Sequence, residues 1–110
     1  MKLERELEHD ALQRQFDCLA GRWCLTGPEV EALLGDQDAK AREHASRVLV
    51  EIDRLMGDLI GGESIPAWLR DDQGTGLAPL RFMSLGREER SAMLAAARLR
   101  HSEVIMGEPG

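Results

Sequence analysis

The chain has no tyrosine, two phenylalanines and two tryptophans in 110 residues. Thr, Tyr and Phe, which favour strands, are scarce, whereas Leu, Ala, Glu and Arg abound, so helices are expected. With so few rings, aliphatic side chains must form the core. The length suits one domain that buries roughly 60–65% of its unfolded surface. Cysteine is nearly absent: Cys18 and Cys24 are the two present. No secretory-signal pattern precedes them, so reduced, separate thiols in a cytoplasmic protein are expected. His9, His44 and His101 stand at no spacing that would complete a zinc site with them. No apolar run approaches membrane-spanning length, so no membrane partner is expected. Internal repeats and long low-complexity linkers are lacking as well.

Positive excess is missing too. Fourteen basic and twenty acidic residues give a formal charge of −6. That opposes a general nucleic-acid coat, which needs basic excess to displace counterions. The charge is polarised along the chain. Residues 77–101 hold five Arg against two Glu, and the first 35 residues hold four basic against seven acidic side chains. Such polarity suits partner steering or plain surface solvation.

What is present is helical periodicity. Leu3, Leu7, Leu12, Phe16 and Leu19 form one stripe, which predicts a helix over 3–20 ended by Gly21. In "WCLTGPEVEALLG", Thr26 and Glu29 have capping-box spacing and Pro28 fits a first turn. The strongest signal is "HASRVLVEIDRLMGDLI", with Ala45, Val48, Leu49, Ile52, Leu55, Met56, Leu59 and Ile60 on one broad face. Gly57 inside it marks either close helix packing or a tolerated surface glycine. Gly61 and Gly62 end it. Ser64 is placed to cap "IPAWLR", "DDQGTG" is a loop, and a short helix is expected around Pro79. After Gly86, "REERSAMLAAARLRHSEVIM" is helical by content, but Met93, Leu94, Ala97, Val104 and Ile105 are less regular, so partial exposure is expected. The expected fold class is all-α, a small single-domain bundle of five or six helices.

The segment from Ala45 to Gly86 resembles the toxin-binding domain of the Xre/MbcA/ParS antitoxin family. The likeness rests on an ordered set: the long apolar helix, Trp68–Leu69, the loop "DDQGTG", "GLAPL" from Gly76 through Pro79 to Leu80, and Gly86. It covers somewhat under half the chain. The block "RWCLTGPEVEALLG" is similar to the family's Xre-like helix-turn-helix entry, through Trp23, Thr26, Glu29, Leu33, Leu34 and Gly35. Residues 1–44 then read as a degenerate helix-turn-helix region, 45–106 as a toxin-binding-like domain and 107–110 as a tail. Two departures stand out. A short, charge-balanced "DQDAKAREHA" takes the place of a recognition helix, which disfavours DNA binding. Asp71–Asp72 replaces the family's usual Pro-Asn.

The resemblance implies a partner: a cognate protein toxin, commonly of the NAD-consuming RES type, inhibited by covering its active-site entrance. The implied partner-binding residues are Asp71, Asp72, Arg81, Arg87, Arg98, Arg100 and His101. Arg90 belongs to the same arginine-rich segment, where Arg suits bidentate pairing with an acidic face. The plainer expectation for each arginine is solvation, and the same holds for the three histidines. Trp68 is read as a core anchor with its N–H on a loop carbonyl. Trp23 is read as a clamp of the N-terminal helices onto the long one. No paired acid/base with a nucleophile and no phosphate-binding glycine motif is present, so neither catalysis nor a cofactor or metal is expected. A homo-oligomer is possible, with a closed dimer as the default. The alternatives are a DNA-binding autorepressor and a degenerate helical interaction or scaffold protein.

Overall fold

The structure is a computed structural model. It describes the backbone of residues 2–34, 38–72, 74 and 76–106, and the side chains among these from residue 10 to residue 105. Gly35 and the tail 107–110 lie outside the described residues, as do the side chains of Leu3, Leu7 and His9. Six α-helices occur among the described residues, and no strand: α1 Lys2–Arg22, α2 Gly27–Leu34, α3 Ala39–Ile60, α4 Ile65–Arg70, α5 Pro79–Met83 and α6 Arg87–Met106. A 3-10 turn, Gly62–Ser64, precedes α4. The fold is a small all-α bundle.

α1 runs one residue past Gly21, which sits inside the helix instead of ending it. Termination falls to Cys24, whose φ of 57° is left-handed. The Leu25 N–H donates to the Ala20 carbonyl at 3.0 Å and the Cys24 N–H to the Gly21 carbonyl at 3.1 Å. This crossed pair satisfies the last carbonyls of the helix. α2 opens on the expected capping box. The Thr26 N–H donates to Glu29 Oε1 at 2.9 Å, and the Glu29 N–H to Thr26 Oγ1 at 3.3 Å.

Residues 39–44 are the first turns of α3, not a separate helix. Asp38 caps them by accepting from the Lys40 N–H at 3.1 Å. The boundary drawn between residues 44 and 45 therefore falls inside α3. One apolar core also runs through both parts. Phe16 and Leu19 of α1, Trp23, and Leu33 and Leu34 of α2 join the buried stripe of α3. Ile65 and Leu69 of α4, Leu80 and Met83 of α5, and Ala97 of α6 close it. Full burial of one such aliphatic side chain contributes about 1.5–3 kcal/mol. α3 is the centre of the bundle, packed most extensively on α6 and then on α1.

Two further expectations meet corrections, and one open alternative is resolved. Ser64 makes no side-chain cap; it lies in the 3-10 turn with helical backbone angles, so α4 starts as a continuation of that turn. A Cβ at Gly57 would meet no atom within 4 Å, so Gly57 does not mark close packing. Arg90 is buried, and its Nη1 donates to the Met83 carbonyl at 3.4 Å. It closes the α5 end against α6 and is not offered to solvent.

Candidate functional site

Two polar anchors set the frame. The fully buried indole is that of Trp23, whose Nε1–H donates to Asp53 Oδ1 of α3 at 2.9 Å, while Arg22 pairs with the other carboxylate oxygen. Arg70, at the end of α4, reaches back to the α1–α2 turn. Its guanidinium donates to the Trp23 carbonyl at 3.0 Å, the Cys24 carbonyl at 2.9 Å and Glu29 Oε1 at 3.2 Å. The Thr26 N–H, and then the Arg70 charge, hold the Glu29 carboxyl below the usual carboxylate range. Sequence reasoning missed both Asp53 and Arg70, because charge is visible in a sequence while a partner more than 25 residues away is not.

With the core so filled, Trp68 is left half-buried. It packs against the core from its edge, as a partial anchor, and is also a wall of a groove of about 480 Å³. Met56, Leu59 and Ile60 of α3 form a second wall. Met93, Ala96, Ala97, Arg100 and Val104 of α6 form the third. Four of these residues are exposed, among them the large apolar Ile60 at 38% and Val104 at 55%. An apolar trough with one cation at its side and adaptable methionines in its walls is suited to an apolar side-chain row from another protein. Met56, Leu59 and Ile60 were legible as one stripe. That the stripe outruns its cover at the α3 C-terminus was not.

The seven residues implied for partner binding do not form one patch. Arg98 and Arg100 diverge by about 160° around α6. Arg100 faces the groove. Arg98 faces Glu51 of α3. The hydrogen bonds of Arg54, and then the charges of Arg54 and Arg98, hold Glu51 below the usual carboxylate range. His101 is not solvated: its side chain is 18% exposed and its Nε2 lies 2.9 Å from Asp58 Oδ2. Arg81 and Arg87 are exposed on α5 and at the start of α6. Asp71 ends α4, and Asp72 Oδ1 accepts from the Gly74 N–H at 3.0 Å, where Gly74 and Gly76 take φ of 83° and 84°. The Asp72 carboxylate thus shapes the loop, while the Asp71 N–H closes the end of α4. Pro79 opens α5 as expected, buried.

Two other clefts occur. One, about 380 Å³, lies between α1, α2 and α3 beside Gln13, Asp17 and Arg42. The other, about 470 Å³, has Cys18 between Arg14 and Arg22, with Asp53 and Arg54 opposite. Cys18 and Cys24 are separate exposed thiols. No group of His, Cys, Asp and Glu that could hold a metal ion occurs among the described residues. No helix among them is long and apolar enough to cross a membrane. At the start of α3, where a reading helix would present cations, Arg42 pairs with Glu31 at 3.4 Å and Arg47 with Glu43 at 3.0 Å. Phosphate contacts there would have to displace those carboxylates.

No protein-family model, no curated protein and no solved structure matches the chain.

Proposed function

We propose that this chain is an antitoxin-like protein whose groove between α3, α4 and α6 receives a cognate protein toxin, so that the toxin's active site is covered. What supports this is the open apolar trough of Ile60, Trp68 and Val104 with Arg100 beside it. Two of its three walls, Met56, Leu59 and Ile60 on one and Trp68 on another, come from the segment whose ordered motifs resemble the Xre/MbcA/ParS toxin-binding domain, and the α6 wall lies beyond that segment. The resemblance makes an NAD-consuming toxin of the RES type the partner class to try first. The chain performs no chemistry in this scheme. It acts by occupancy, with apolar burial supplying affinity and Arg100 fixing register against an acidic group.

The test is co-expression of the tagged chain with the product of its adjacent gene. A stoichiometric complex and restored growth of a toxin-expressing host are expected. Ile60→Asp, at a solvent-facing end of α3, is expected to weaken the complex at least tenfold, about 1.4 kcal/mol. A chain that purifies alone beside a harmless neighbour defeats the proposal. Binding to its own promoter, lost steeply on adding salt, would favour the autorepressor instead.

A further inference from the structure

The clefts of the molecule differ in charge. The two beside α1 carry side chains of both signs, Asp17 with Arg42 in one and Asp53 with Arg54 in the other. The groove between α3, α4 and α6 carries one charged side chain, Arg100. Its inner lining is apolar: Met56 and Ala97 are buried, and Trp68 is half-buried. Its α6 rim is the exposed row Ala96, Arg100 and Val104, at i, i+4 and i+8. Such a row runs about 12 Å, a little over two helical turns. Ile60 stands on the α3 rim.

Backbone chemistry decides what form of chain can lie there. The walls are helices, whose N–H and C=O groups bond along their own axes, and no strand edge occurs among the described residues. An extended segment in the groove would set part of its own N–H and C=O groups against apolar side chains, without partners. A helix keeps those bonds within itself and presents side chains alone. Charge sets the second requirement. A helix seated in the groove takes water from Arg100, and a guanidinium stripped of water needs a carboxylate in its place. The formal charge of −6 on the chain works against an occupant that is acidic throughout. The carboxylate is therefore a single one, on a helix otherwise neutral or basic.

We infer that the groove takes an amphipathic helix of its partner, with apolar side chains at i, i+4 and i+7 laid along Met56, Ile60 and Trp68 and one Asp or Glu set against Arg100. This rests on the groove being the partner's seat, as proposed above, and adds the form and charge of what enters it.

The experiment pans a phage-displayed library of random peptides of roughly 16 residues, long enough to hold a helix, on the immobilised full chain. Enriched sequences are expected to share the i, i+4, i+7 apolar spacing and one acidic residue, and to lack proline. Synthesised, they should gain helical circular dichroism on binding and shift the tryptophan emission through Trp68. They should bind about tenfold more weakly, or worse, to Ile60→Asp and to Arg100→Glu. Changing the peptide's acid to lysine should restore binding to Arg100→Glu. Both positions are exposed, so the free variants should match the parent in circular dichroism. Should Ile60→Asp unfold, Arg100→Glu with the lysine peptide carries the test. The inference is overturned by enriched sequences that alternate or carry proline, or by binders indifferent to both variants. A library without binders overturns it too, and a shift of the emission by decanoate would then assign the groove to a small amphiphile. The two readings fail separately. Helical binders beside a harmless gene neighbour keep the helix site and remove the toxin; a toxin complex lost on Ile60→Asp, beside extended binders, does the reverse.

Discussion

Two backbone positions act against the fold that contains them. Gly57 costs α3 about 0.5–1 kcal/mol relative to alanine, and nothing stands where its Cβ would go. Gly57→Ala should therefore raise the melting temperature by about 3–6 °C for a domain of this size. A fall would mean that a neighbour needs the gap. Cys24 is the other position. A left-handed conformation costs a residue with a Cβ about 1–2 kcal/mol, part of which glycine returns through its freer unfolded chain. Cys24→Gly should stabilise the protein by about 0.5–1 kcal/mol in urea unfolding, and a loss would show that the side chain itself is needed. Gly57 was legible as a glycine inside the apolar stripe, whereas Cys24 was not legible from pattern. Gly21 stood where a helix-ending glycine is normally found, yet the chain passes it and turns at a cysteine, because the carbonyls of Ala20 and Gly21 find their donors five and three residues on, respectively.

At the scale of elements, the α2 cap is a pH-dependent feature. Glu29 has a depressed pKa in the folded chain, first through the Thr26 N–H and then through Arg70. Its contribution is present above the unfolded value of about 4.3 and is lost as pH falls through the folded value. Glu29→Gln should be less stable than the parent at neutral pH. The gap should close on acidification below about pH 4. A gap that stays constant with pH would exclude the charge as its source. The capping box was legible because both partners lie within four residues. The α3 stripe was legible because burial on one face imposes a 3.6-residue period. Arg70, Arg90 and His101 were not, since each gains its meaning from an atom on another element. Ser64 failed as a cap because a 3-10 turn already feeds α4.

At the scale of the whole molecule, α3 joins what the sequence divides. Its first turns follow the α2 block, its middle carries Asp53 for Trp23, and its end opens the groove. The groove was half legible. Trp68 and the α3 stripe were singled out by motif and period, but the exposure of Ile60 and Val104 depends on where α4 and α6 stop covering them. Complex formation with the neighbouring gene product should be sensitive to Ile60→Asp and insensitive to Arg98→Glu, which lies on the other flank of α6. Equal losses in a pull-down would place the contact across the helix instead.

The Arg70 clamp has a consequence in time. It closes on carbonyls 46 and 47 residues earlier in the chain, so its contacts require most of the bundle to be in place. Contacts of such span tend to form after the rate-limiting step of folding. Arg70→Ala should leave the refolding limb of a chevron nearly unchanged and accelerate unfolding by about tenfold, for a loss of about 1.4 kcal/mol. A slower refolding limb would instead make residues 23–29 and 70 part of the nucleus. On the first outcome, Arg70 is a latch that sets how long the native state lasts and has little to do with how fast it is reached.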